Sequence, residues 1–245
     1  MGWLSGQHLV ERFGLDGDSR ALDLGCGAGQ IAIPLAAHVG DVVGVDPNEA
    51  MLDEARRQAR DAGVSNVEWV SGSDADIRGD LGDELGPVTV ITMGRSFHWM
   101  EREPTLARLR ELTEPGGGVA VFGDTEWLTS GRRDWQDEVY ALASESLDDL
   151  PERTGPRTEP YENPYDELIA DCGFEGVDVA TFDQTRKWTV DEVVGYVFSL
   201  SFASPATFGD AKDDFESDLR ERLAELGGGP FEQDEEVRVI SGRKP

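Results

Sequence analysis

The chain has 245 residues, of which 50 are acidic and 22 basic, giving a formal net charge of −28 and a sequence pI near 4.2. A surface this acidic repels phosphates over the whole molecule and argues against nucleic acid and anionic membranes as partners. The acids are spread along the chain and not gathered in one block. That pattern reads as salt adaptation, a halophilic protein kept solvated in high salt, in preference to a dedicated site for a basic partner.

The length suits one α/β domain with some elaboration. Cys26 and Cys172 stand apart, with no Cys-x-x-Cys or Cys/His cluster, which implies a reducing compartment and no structural metal. No apolar run is long enough to span a bilayer and no basic-then-apolar signal opens the chain. A soluble, cytoplasmic protein is expected.

Residues 5–13, SGQHLVERF, form a short amphipathic helix with Leu9, Val10 and Phe13 on one side and His8 as a surface residue. Ala21 to Leu24 read as the end of a strand, followed by Gly25-Cys26-Gly27-Ala28-Gly29 and an apolar helical run over 31–37. Glycines on alternate positions give a strand-to-helix turn in which a ligand can meet backbone N–H groups. Asp23, inside an otherwise apolar strand, needs a compensating partner. The next strand, Asp41 to Val45, ends on Asp46, a carboxylate about 20 residues past the glycines and placed to accept hydrogen bonds from ribose hydroxyls.

A dinucleotide fingerprint reads G-x-G-x-x-G, with a pyrophosphate on the helix N-terminus. Here the pattern from Asp23 is D-x-G-x-G-x-G. It resembles motif I of the class I S-adenosylmethionine (SAM)-dependent methyltransferases, whose ligand has no phosphate. The resemblance implies an α/β, Rossmann-like fold: a seven-stranded, mostly parallel sheet with an antiparallel last strand, helices on both faces, and helical lid insertions. It implies SAM as cofactor, held by Asp23, Gly25, Cys26, Gly27, Gly29, Asp46 and Pro47. In relatives a helix like that at 5–13 covers the pocket, and this chain starts close to the motif without most of the longer leader.

A helix capped by Asn48 then runs to about Arg60, with Met51, Leu52, Ala55 and Ala59 on its inner face. The resemblance places Met51 near the adenine, and a core methionine is the alternative. Asn66 to Val70 is the third strand. The following Ser71 to Ile77 resembles the loop in which an acidic side chain and the next backbone N–H read the adenine. Asp74 with Ala75 is the best match, Ser73 or Asp76 could take the role, and an Asp-rich turn is the plain reading.

The fourth strand, Val88 to Thr92, leads into Met93-Gly-Arg-Ser-Phe-His-Trp-Met100. Ligands of such sheets lie outside the carboxyl ends of the strands where strand order reverses. Gly94 permits close approach to SAM, and Arg95, His98 and Trp99 form the chain's dense cluster of Arg, His and Trp. The segment looks like the "FHW" loop of small-molecule enzymes of the methyltransferase type 11-like, trans-aconitate methyltransferase-like subgroup, here in a haloarchaeal-type acidic protein. Phe97 is read as packing on the helix Pro104–Leu112, whose Leu106, Leu109 and Leu112 face the sheet, and Trp99 as an acceptor contact. A "PGG" turn at 114–118 and the strand Val119 to Phe122 follow, another mark of the family.

Three segments are expected: a SAM-binding core at 1–124, a lid insertion at 125–165, and a C-terminal completion of the core with acceptor-site helices at 166–245. The insertion carries Trp127, Trp135 and Tyr140 and a Pro/Arg/Thr-rich loop at 151–160. After it come a helix at 165–171, "CGF", the strand Val177 to Phe182, and a helix from Val190 capped by Thr189 with Glu192. By resemblance Tyr196, Ser199 and Ser201 are acceptor contacts. Lys212 to Leu226 is amphipathic, with Phe215, Leu219, Leu223 and Leu226 in register, and 235–242 is the antiparallel last strand.

The activity implied is methyl transfer to a small-molecule acceptor, a carboxylic acid in the favoured case, by in-line displacement in near-attack geometry. A carboxylate needs no base. For a hydroxyl, amine or carbon acid His98 is the first candidate, although a simple hydrogen-bonded loop residue fits it as well. Arg95, and after it Arg186, suit an anionic acceptor. A non-catalytic SAM-binding protein is the alternative. An NAD(P)-binding oxidoreductase is disfavoured by the glycine spacing and the want of a Tyr-x-x-x-Lys set. A monomer or homodimer without nucleic acid, membrane or metal is expected.

Overall fold

A computed structural model describes residues 3–124, 127–131, 133–147, 150–152 and 165–245. The loop 151–160 assigned to the lid lies almost wholly outside the described residues. Seven strands, β1 (Arg20–Leu24), β2 (Asp41–Asp46), β3 (Val67–Ser71), β4 (Val88–Gly94), β5 (Thr113–Asp124), β6 (Glu175–Trp188) and β7 (Phe231–Arg243), form one sheet in the order β3-β2-β1-β4-β5-β7-β6. The pairs β1–β2, β1–β4, β2–β3 and β4–β5 are parallel, and β7 runs antiparallel to β5. Strand order therefore reverses between β1 and β4, and a crevice for ligands is expected outside their carboxyl ends.

The helices in chain order are α1 (Trp3–Phe13), α2 (Ala32–Leu35), α3 (Glu49–Asp61), α4 (Asp74–Arg78), α5 (Asp80–Leu85), α6 (Arg102–Leu112), α7 (Trp127–Ser130), α8 (Asp134–Ser146), α9 (Tyr165–Asp171), α10 (Val190–Ser199), α11 (Pro205–Phe208) and α12 (Lys212–Glu225). The pleat sorts strand residues to two faces. Leu22, Leu24, Ile91, Met93, Val119 and Val121 share one buried cluster with Leu106, Leu109 and Leu112 of α6 and Ile169 of α9. Ala21, Val90, Ala120 and Phe122 share another with Leu9 and Phe13 of α1 and with α2. Helices thus cover both faces, as the sequence implies.

The chain divides into two compact units: residues 1–124, 161–182 and 237–245, and residues 125–160 with 183–236. This differs from the expected partition. The segment 183–236, taken as completion of the core, groups with 125–160. Its clustering has an apolar cause, since Trp127, Trp135 and Leu142 share one buried cluster with Trp188, Val193, Phe215, Leu219 and Phe231.

Smaller differences have local reasons. Met51 is 38% exposed, whereas Leu52, Ala55 and Ala59 are buried; Met51 lies about 100° around α3 from Leu52, off the buried stripe. Leu226 lies past the end of α12 and is exposed. The expected "PGG" turn is absorbed into β5, with a register irregularity between Val88 and Val90 and Gly116 at φ 83°. Strand β6 runs on to Trp188, beyond the expected end at Phe182. His8 is half-buried: its ring tilts against Phe182 at 5.5 Å and its Nε2 is buried without a partner among the described residues.

Candidate active site

The site is built at the carboxyl ends of β1, β2 and β4. Gly25, Gly27 and Gly29 all have positive φ, at 71°, 53° and 83°, a region open to glycine at little cost. Their surroundings differ. A Cβ on Gly25 would lie 2.3 Å from Ser96 Cβ, and one on Gly29 would lie 2.7 Å from the Trp69 ring. A Cβ on Gly27 would meet nothing within 4 Å. Two of the glycines therefore answer to packing, and Gly27 alone faces open space.

The loop is clamped from the side of β2. The N–H groups of Gly25 and Cys26 both donate to Val45 O, at 2.8 and 3.0 Å. Gly27 N–H donates to Asp46 Oδ2 at 2.8 Å, and Asn48 N–H to Asp46 Oδ1 at 2.9 Å. Asn48 then caps α3 by accepting from Ala50 N and Met51 N. Pro47 is exposed beside it. The Cys26 thiol is buried and its pKa is pushed up by burial and by Asp23 and Asp46, so it is an inert packing group.

Asp23 is 1% exposed and has the partners its position demands. Its Oδ1 accepts from Thr92 Oγ1 at 2.7 Å and its Oδ2 from Ala32 N at 3.1 Å. Burial nevertheless outweighs these bonds and raises its pKa to about 6. Thr92, on β4, was not singled out by the sequence because its partner lies 69 residues away.

After β4 the chain makes a strained turn. Arg95 has φ 55°, unusual for a non-glycine residue, and its N–H donates to Phe122 O. Ser96 Oγ donates to Leu24 O at 2.7 Å. The single helical turn Phe97–Trp99 follows. Phe97 is buried edge-on against Tyr165 at 4.9 Å, while Trp99 is 71% exposed. His98 sits 4.9 Å from the Trp99 ring. Its pKa is lowered by burial and then by the Arg95 and Arg102 guanidinium groups, which keeps the imidazole neutral at neutral pH. A Cβ on Gly94 would lie 2.4 Å from Ile31 Cδ1, the far end of that side chain.

At the start of α4 the three open alternatives separate. Asp76 accepts from both the N–H and the hydroxyl of Ser73, at 2.8 Å each, which closes the first turn. Asp74 Oδ2 accepts from Glu101 N at 3.1 Å and Thr105 Oγ1 at 3.2 Å and pairs with Arg78 at 3.3 Å. Its Oδ1 takes none of these bonds. Ala75 follows Asp74 within that first turn.

The structure thus brings together Asp23, the glycine loop, Asp46, Gly94 and Arg95, with Asp74 tied to the turn carrying His98 and Trp99. Tyr196, Ser199 and Ser201 belong to the second unit. There Tyr196 stacks on Trp127 at 4.6 Å and Ser199 Oγ donates to the Tyr196 carbonyl. Arg186 lies over the Trp188 ring at 3.7 Å.

Residues 21–117 match the family model of a methyltransferase domain. The fold is that of a Rossmann-like methyltransferase. A stretch of 62 residues, 25% of the chain, is 40% identical to 14% of a 23S rRNA (uracil(1939)-C(5))-methyltransferase of Xylella fastidiosa. A longer match, 28% identical over 163 residues, covers 56% of the chain and 62% of a ubiquinone biosynthesis O-methyltransferase of Cereibacter sphaeroides. The chain therefore spans less than two thirds of either relative. The fold is also similar to that of a phosphoethanolamine N-methyltransferase 2 of Haemonchus contortus solved with phosphomonomethylethanolamine and S-adenosylhomocysteine (SAH), at TM-score 0.52 and 18% identity, over 100% of this chain and 53% of that one.

The open face of Gly27 lies beside Asp46. Among the described residues no helix is long and apolar enough to cross a membrane.

Proposed function

We propose that the protein is a class I SAM-dependent methyltransferase acting on a small carboxylic acid. The observation that carries this reading is the cradle at Gly27, a positive-φ glycine facing open space with its N–H on the Asp46 carboxylate. A carboxylate there can accept ribose hydroxyls, and the acidic surroundings of Asp23 and Asp46 suit a cationic sulfonium better than a pyrophosphate. When bound, the cofactor supplies an electrophilic methyl group whose C–S bond breaks as the bond to the acceptor oxygen forms, leaving neutral SAH. Asp46 holds the ribose, and Gly27 keeps a side chain out of the way. Asp74 Oδ1 and the Ala75 N–H read the adenine, with Met51 and Ser73 at its edge. The Arg95 guanidinium orients the acceptor carboxylate, and neutral His98 donates a hydrogen bond to it. Trp99 shields the reacting atoms from water, and near-attack positioning supplies most of the rate.

The charge of −28 supports a small acceptor in place of rRNA. The same acidity, with two free cysteines, supports a salt-adapted protein of the cytoplasm. Incubation with methyl-labelled SAM and a panel of small carboxylic acids in high potassium chloride tests the reading. Label should appear in base-labile methyl esters and depend on Arg95. Label only in hydroxyl or amine products would refute the carboxylic acid assignment, and no transfer by a protein that binds SAH would favour a non-catalytic role.

A further inference from the structure

The turn that carries His98 and Trp99 is fastened at both ends, and each fastening lands on a different cofactor loop. At its start Ser96 Oγ donates to Leu24 O at 2.7 Å. Gly25 is so closely applied that a Cβ would stand 2.3 Å from Ser96 Cβ and 2.7 Å from its Oγ. At its end Glu101 N and the hydroxyl of Thr105 both donate to Asp74 Oδ2, at 3.1 and 3.2 Å. Thr105 is fully buried, so its hydroxyl is directed at Asp74 and not solvated. Between the two fastenings Phe97 is buried while Trp99 is 71% exposed. The chain enters the turn through Arg95, held at φ 55°. A residue kept in that region needs its neighbours to hold it there.

We infer that Ser96 and Thr105 are positioning residues that tie the Phe97–Met100 turn to the glycine loop and to Asp74, so that cofactor binding sets the placement of His98 and Trp99. The inference rests on the SAM reading of the site. It follows from the arrangement of bonds: a ligand seated on Gly27 fixes the glycine loop, which Ser96 shares. A ligand amino group on Asp74 Oδ1 fixes the carboxylate whose other oxygen holds Glu101 and Thr105. Coupling of this kind acts through shared contacts and is measured as a free energy between sites.

The test is the fluorescence of Trp99 during titration with SAH in high potassium chloride. Trp69 stands against Gly29 and Gly44 and also responds to the cofactor, so the Trp99 component is taken as the difference between the wild type and Trp99→Phe. The wild type should show a saturable Trp99 component. In Ser96→Ala/Thr105→Val that component should fall at least about fivefold, while the Kd for SAH by calorimetry stays within about threefold of wild type. A purely structural loss would weaken SAH binding and the Trp99 signal together. The inference is overturned if the component persists at full size in the variant, if it is missing from a wild type that binds SAH, or if its loss merely tracks lost affinity. A wild type that binds no SAH overturns the cofactor reading as well, and calorimetry separates that case. Should the double variant lose its helical circular dichroism, Ser96→Ala alone carries the same criterion.

Discussion

Gly27 and Asp46, 19 residues apart, are joined by a 2.8 Å hydrogen bond from the glycine N–H to the carboxylate. That bond sets a glycine facing open space beside the carboxylate proposed to accept ribose hydroxyls. The neighbouring glycines of the same loop are filled in by Ser96 and Trp69. Substitutions should therefore sort into two kinds.

Gly27→Ala should leave a folded protein, destabilised by about 1 kcal/mol for an alanine in the left-handed region, with SAH affinity reduced at least about tenfold. Gly44→Ala, whose Cβ would lie 2.7 Å from the Trp69 ring and 3.1 Å from Cys26 Sγ, should cost about 1–3 kcal/mol through overpacking. Thermal melts and SAH titration of the two variants separate the effects. Equal loss of affinity in both would contradict the assignment of Gly27 as the ligand face.

Asp23 predicts a pH signature. Its folded pKa of about 6 lies well above the ordinary aspartate value of 3.8, so the fold favours the neutral acid. The stability this contributes is fully present below pH 4 and is lost as pH rises through 6, an effect of order 3 kcal/mol for a shift of this size. Asp23→Asn, which keeps the shape and stays neutral, should gain on the wild type between pH 4 and pH 7 in chemical denaturation. A constant difference across that range would mean that Asp23 ionises normally.

His98 is held neutral by burial and by the adjacent guanidinium groups. With an acceptor that arrives ionised, His98→Asn should lower kcat/KM by less than about tenfold and leave the rate flat with pH above neutrality. A loss of about 100-fold or more, together with a wild-type rate that climbs as His98 deprotonates, would assign it as a general base.

Much of the local structure around the glycine loop is legible in the sequence because its logic is local. The glycine spacing, Asp46 at a strand end and the Asn48 cap each involve residues a few positions apart. The ties that fasten the turn after β4 are not legible. Ser96 meets Leu24 across 72 residues and Thr105 meets Asp74 across 31, and no periodicity points from one to the other. Trp69 stands against Gly29, which reads as ligand-driven in the sequence, and against Gly44 on β2. The core of the second unit joins Trp127 and Trp135 to Trp188 and Phe231, a pairing that a linear reading of an insertion does not reach. Asp23 was flagged by its odd setting, and only the structure supplied Thr92.

Arg95 carries strain that its proposed role explains. Arg95→Gly at φ 55° should raise stability by about 1 kcal/mol while raising the KM for a carboxylic acid and leaving SAH affinity near wild type. A variant that is less stable, with unchanged acceptor KM, would show that the guanidinium serves the fold instead.

The net charge of −28 should make stability depend on salt, because repulsion among carboxylates is screened only at high ionic strength. The Tm should rise by roughly 5 °C or more as potassium chloride is raised from about 0.1 M to about 2 M. A flat or falling Tm would remove the basis for salt adaptation.

The most direct measurement is isothermal titration of the protein with SAH, and separately with NAD, in high potassium chloride. Micromolar binding of SAH that is lost in Asp46→Ala, with no binding of NAD, is the predicted result. Binding of NAD in place of SAH, or a folded protein that binds neither, would contradict the account of the site.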